Sequence, residues 1–155
     1  MDNYLIIKTI HILSSTVLFG TGLGIAFFMY ISNSANNIHE KYYAVRKTVL
    51  ADFIFTFPAV IIQPVTGFWL LWHSGIDLHA FWLQITYIGY VVAGLCWLPV
   101  VWIQIQLKNM LQQAVEQHDT LPDRYDRLFK IWFILGWPAF IALLIIFFMM
   151  VFKPV

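Results

Sequence analysis

At 155 residues the chain has room for a single domain. It is 61% hydrophobic and 11% charged, where soluble domains carry about a quarter charged residues, so its solvent is a membrane. The net charge of +1 leaves no electrostatic footprint for nucleic acid. One cysteine, Cys96, excludes an internal disulfide and every multi-cysteine metal or iron–sulfur motif.

A helix needs about 20 residues to cross roughly 30 Å of hydrocarbon. The first stretch of that length, 4–31, exceeds a signal-peptide core and lacks a basic n-region and a cleavage site, so it is expected to persist as the first span. On a helical wheel its Tyr4, Lys8, His11, Ser15 and Gly22 share one side. Thr16, Gly20 and Gly24 lie opposite, a small-residue ridge suited to close contact within the bundle or in a homodimer. A polar loop, 32–49, precedes the second span, 50–72. There Thr48, Asp52, Thr56, Gln63, Thr66 and His73 form a polar stripe, blurred by Pro58 and Pro64. For Asp52 an ion pair is expected, with Arg46, Lys47, Lys108 and Lys130 as candidate partners and proton handling as the alternative role.

A tight turn, 73–79, leads to the third span, 80–105, with Gln84, Tyr87, Tyr90, Gly94 and Gln104 on a shared face. These stripes should meet inside the bundle as interhelical hydrogen bonds of about 0.6 kcal/mol each. A charged loop, 106–127, and a fourth span, 128–152, complete the chain. The apolar runs are too long for strands and lack period-two alternation. The fold class is all-α: an integral membrane four-helix bundle.

Basic residues set the expected orientation. Lys41, Arg46 and Lys47 in the first loop, with Lys108, Arg124, Arg127 and Lys130 in and beside the third, are seven of the nine Lys and Arg. The positive-inside rule places both loops in the cytoplasm and both termini outside, N-out and C-out. Trp69, Trp72 and Trp82 then fall at the outer interface, with Trp97, Trp102, Trp132 and Trp137 in the inner part of their spans, as an aromatic belt of anchors.

His11, His73 and His79 are expected to gather toward the outer surface. Neutral imidazole is the commonest metal ligand, and bundle cores supply ligands from facing helices. Two imidazoles suit a haem iron; three suit copper or zinc. His39 and His118 fall in the cytoplasmic loops and are expected to be solvated.

The run Lys8-Thr9-Ile10-His11 with SSTVLFGTGLG (14–24) resembles the bacterial membrane family called domain of unknown function 2269. So do LADFIFTFPAVIIQPVTGFWL (50–70), CWLPVVWIQIQL (96–107) and YDRLFKIWFILGWPAF (125–140). The similarity spans nearly the whole chain and implies a multi-pass protein of the bacterial inner membrane. More distantly the layout is similar to J-type protoporphyrinogen oxidase, which binds haem, and to the copper-resistance D family. Only His11 matches the oxidase's first-span histidine.

These readings make a haem b-binding redox protein the leading expectation, an electron carrier or oxidoreductase subunit with a membrane redox partner. His11 and His73 would be the axial pair, and Lys8 or Ser15 would meet a propionate. A copper-handling transporter using His11, His73 and His79 is the alternative, and a scaffold subunit docking through its glycine ridge is the third reading. No nucleophile–base pair, phosphate-cradling loop or carboxylate pair is present. Hydrolase and kinase chemistry are therefore not expected.

Overall fold

A computed structural model of the protein describes residues 3–118 and 120–154; Met1, Asp2, Asp119 and Val155, part of the expected 1–155 unit, lie outside the described residues. Five α-helices follow in order: α1 Asn3–Asn33, α2 Ile38–Ala51, α3 Phe57–Ser74, α4 Phe81–Gln117 and α5 Asp123–Phe152. A π-helical segment, Asp52–Thr56, joins α2 to α3 without a break. No strand occurs among the described residues. Four rods are long and apolar enough to cross a membrane: α1, the α2–α3 rod, α4 and α5. The protein is an all-helical four-span bundle, and four crossings return the chain to the side on which it began. That side is called here the terminal end and the other the loop end.

The helices outrun the spans that hydropathy marks. Most of the expected 32–49 loop is α2, opened by the Asn37 side chain, which accepts the His39 backbone N–H at 2.9 Å. Its Val45, Thr48 and Val49 are buried. Much of the expected 106–127 loop is likewise helical, since α4 runs on to Gln117 and buries Leu107, Leu111 and Ala114. An amphipathic extension beyond the lipid is polar on average, so hydropathy misses it although its inner face is apolar. Each 37-residue rod is about 55 Å long at 1.5 Å per residue, against about 30 Å of hydrocarbon. At the loop end these extensions join α1 and the start of α5 in one core containing Met29, Val45, Leu107, Leu111, Tyr125 and Phe129.

Within the bilayer the helices pack as two antiparallel pairs, α1 with α3 and α4 with α5. Gly89 permits the closest approach in the second pair: a Cβ there would stand 3.0 Å from Ile146 Cγ1 and 3.6 Å from the Ala142 carbonyl. In the first pair Gly67 does the same, its Cβ position lying 3.2 Å from His11 Cε1. The expected ridge behaves differently. An added Cβ at Gly20 or Gly24 meets nothing within 4 Å, and Thr16 and Gly20 face outward. The ridge makes no close helix contact within the bundle.

Aromatic side chains bridge the two pairs. Phe19 of α1 lies 5.5 Å from both Phe140 and Phe147 of α5, while Phe68 of α3 stacks on Tyr87 of α4 at 5.9 Å. Backbone contact between α1 and α5 is otherwise slight. One bridge follows from a proline. Pro64, inside α3, has no N–H to return to Val60, four residues back. The Tyr90 hydroxyl of α4 donates to that released Val60 carbonyl. The π-helical segment has a similar origin. Phe57 N–H donates to the Asp52 carbonyl five residues earlier, and Pro58 has no N–H for Ile54. The backbone widens where the regular ladder is denied a donor.

Candidate functional site

The α1–α3 register pairs Ser14 with Gln63, His11 with Thr66, and Tyr4 with His73. Gln63 Nε2 donates to the His11 carbonyl at 2.8 Å and to Ser14 Oγ at 2.6 Å; Ser14 Oγ donates to the same carbonyl at 3.1 Å. Thr66 Oγ1 donates to the Ile62 carbonyl at 2.6 Å and lies 2.8 Å from His11 Nδ1. A hydroxyl has one proton. With that proton directed to the backbone, Thr66 accepts from His11 Nδ1–H, and Nε2 keeps its lone pair. Ser14 is the serine this network uses. Ser15, the expected one, bonds only to its own helix through Ile12 O at 2.7 Å.

The three imidazoles do not gather. His73 is exposed and lies between rings, 5.0 Å from Trp69 and 5.8 Å from Tyr4. It follows Thr66, the partner of His11, by seven residues, about 10 Å along the helix. A metal–imidazole bond is about 2 Å, so that stagger does not suit one iron held by both rings. His79 is exposed in the turn. Lys8 is exposed, its Nζ 6.0 Å from the Tyr4 ring. Among the described residues no group of three or more His, Cys, Asp or Glu is placed to hold a metal ion.

A second polar cluster, nearer the loop end, has the opposite character. Asp52 is only 4% exposed, with Thr56, Trp97 and Gln104 around its carboxyl. Among the described residues no cation accompanies it. Arg46 is exposed over the Tyr42 ring at 5.7 Å, and Lys47 is exposed over Tyr43 at 5.5 Å. The expected ion pair is absent because the π-helical segment turns Asp52 toward α4, while Arg46, Lys47 and Lys130 are exposed and the half-buried Lys108 is not among the groups around the carboxyl.

Asp52 Oδ2, Thr56 Oγ1, Trp97 Nε1, Gln104 Oε1 and Trp132 Nε1 are all buried without a hydrogen-bond partner. All five residues line one cavity of about 290 Å³ between the two helix pairs. The remaining walls are apolar, from residues such as Phe19, Leu23, Ala93, Phe133 and Phe140. Gly22, Gly94 and Gly136 contribute from three helices, and a Cβ on any of them would meet nothing within 4 Å. The terminal-end network is largely satisfied by its own members; this cluster is not. Sequence reading placed Trp97 and Trp132 among the interfacial anchors, yet both indole N–H groups are buried. The signal available in the sequence was the shared direction of Asp52 and Thr56 with Gln104 on the facing span.

No curated protein and no solved structure matches the chain. The model of a family described as "Predicted integral membrane protein (DUF2269)" matches residues 5–154. A match of that extent over a four-span bundle identifies the chain as a member of this family of integral membrane proteins.

Proposed function

We propose that this protein holds a lipid-soluble amphipathic molecule inside the bilayer, its polar head beside Asp52 and its apolar part directed out between α1 and α5. The observation that carries the reading is one largely apolar cavity lined by five residues that each bury a polar atom without a partner. A buried donor or acceptor left unmade costs about 1–3 kcal/mol, and native proteins leave few. Five at one place call for a partner, and the apolar remainder of the cavity sets what kind. Pockets that take small molecules are mostly apolar with a few convergent polar groups, from about 300 Å³ upward. Because backbone contact between α1 and α5 is slight and only side chains close the gap, the ligand reaches the cavity from the lipid.

Gly94→Leu tests the reading. The added side chain fills the cavity without meeting protein atoms near its Cβ, so the variant should fold. Wild-type protein, extracted with solvent after purification, should yield a molecule by mass spectrometry that the variant lacks. Identical lipid complements would refute the proposal. Water pairing the polar atoms would give that same identical result.

A second reading, haem b with a redox role, rests on His11. Its Nδ1–H bond to Thr66 fixes the tautomer and leaves Nε2 as the donor atom, as second-shell partners do for ligating imidazoles. His11 fits as a single axial ligand, and haem bound there would supply one-electron chemistry. A Soret band lost in His11→Ala would support it; purified protein without one after haem supplementation would end it.

A further inference from the structure

We infer that the ligand of the Asp52 cavity is an uncharged ring bearing hydroxyl groups on an apolar tail, the hydroquinone class, held in preference to its oxidised quinone. The inference rests on the cavity reading above and specifies the head group.

Charge narrows the choice first. The lining contains no Lys, Arg or His, and its one ionisable acid is Asp52. A phosphate, sulfate or carboxylate head would meet a carboxyl with nothing to neutralise it, at a large cost in low dielectric. A lipophilic cation would suit Asp52 but brings no acceptor. It would leave the Trp97 and Trp132 N–H groups as unpaired as before.

The unmade bonds have a definite polarity. Trp97 Nε1–H and Trp132 Nε1–H donate only, whereas Gln104 Oε1 accepts only. Asp52 Oδ2 accepts when ionised and donates when protonated, and Thr56 Oγ1 does either. A head that pairs them must both accept and donate while carrying no charge, and a hydroxyl group does this. A carbonyl serves the two indoles and leaves Gln104 Oε1 unserved. The reduced ring therefore makes bonds that the oxidised ring lacks.

The walls indicate a ring. Aromatic faces from Phe19, Phe133, Trp137 and Phe140 border the cavity, and aromatic pairs favour offset or edge-on contact with another ring. The three bare glycine positions leave open space where side chains would otherwise project.

The full chain in lipid nanodiscs, titrated calorimetrically with five decyl compounds, tests this. Decylhydroquinone should bind saturably, and decylbenzoquinone about 3–10-fold more weakly, since interhelical-type bonds in membranes are worth about 0.6 and at most about 1.7 kcal/mol each. Decanol should bind more weakly than decylhydroquinone, and decyl phosphate and decyltrimethylammonium should not saturate. Gln104→Leu should shrink the hydroquinone-to-quinone ratio, because it removes the acceptor that only the hydroxyl form can serve. Trp132→Phe should weaken both forms, and Gly94→Leu should abolish binding with the helical content kept. Saturable binding of the ammonium or the phosphate, equal affinity for both redox forms, or decanol matching the hydroquinone would overturn the ligand class while leaving the cavity reading standing. Failure of all five, with wild type and Gly94→Leu alike, would remove both.

Discussion

The bond between Tyr90 and the Val60 carbonyl gives a sharp test of how this bundle is held together. The acceptor is free for α4 only because Pro64 has no N–H to occupy it. Tyr90→Phe keeps the ring and removes the donor, leaving a carbonyl unpaired in apolar surroundings. Such a loss costs about 1–3 kcal/mol in soluble proteins, while membrane double-mutant cycles give about 0.6 on average and about 1.7 at most. A penalty of about 1–1.5 kcal/mol is expected for Tyr90→Phe. In the Pro64→Ala background the restored N–H of residue 64 takes the Val60 carbonyl, so the same change should cost under about 0.5 kcal/mol. The coupling energy is then about 1 kcal/mol, readable from reversible unfolding in mixed micelles followed by far-UV circular dichroism and tryptophan fluorescence. Tyr87 supplies the control. Its hydroxyl is buried without a partner, so Tyr87→Phe should be neutral or stabilising. Equal penalties for Tyr90→Phe in both backgrounds, within about 0.3 kcal/mol, would refute the proline-release argument.

Three further outcomes follow from the packing. Gly89→Leu drives a side chain into Ile146 and the Ala142 carbonyl and should cost about 1–3 kcal/mol or more; Gly20→Leu, with open space around it, should leave monomer stability within about 0.5 kcal/mol in the same unfolding assay. Gln63→Leu removes both of its bonds across the α1–α3 seam and should destabilise by about 1–2 kcal/mol, with faster amide exchange in the first half of α1 as its local signature. Cysteines placed at the exposed positions Gln113 and Lys153 should label from opposite sides of the membrane in intact cells, the former only after permeabilisation; labelling of Gln113→Cys in sealed cells would reverse the orientation drawn from the basic residues.

Much of the architecture was legible because hydrocarbon thickness is a blunt constraint: about 20 apolar residues in a row have few alternatives. The polar stripe of the second span also read correctly in its core positions, since Thr48, Asp52, Thr56 and Thr66 are all buried. What the sequence concealed depended on phase and depth. A wheel at a fixed angle of about 100° per residue cannot contain a π-helical segment, so the direction of Asp52 relative to Arg46 was lost. It placed Ser15 rather than Ser14 beside His11, a one-position error in rotation. The glycine ridge had the right spacing, but spacing does not say which neighbour arrives; contact came instead at Gly67 and Gly89, each isolated in sequence. For the histidines the error was longitudinal. Each lies in the terminal half, yet antiparallel pairing staggers His11 from His73 by about two helical turns.

The π-helical segment between Asp52 and Thr56 has one more implication. A helix absorbs an additional residue as a single wide turn so that everything beyond it keeps its angular position. The faces that α2 and α3 present to their neighbours are therefore matched across the segment, and that matching does not depend on the wide turn itself. Excising one residue from 53–55 in a Pro58→Ala background, which restores the missing N–H, would let the segment close into an ordinary helical turn with both faces still aligned, changing only where the carboxyl points. Assembly of the bundle and the aim of Asp52, the one deeply buried acid among the described residues, are thus separable, and that combined change would dissect them.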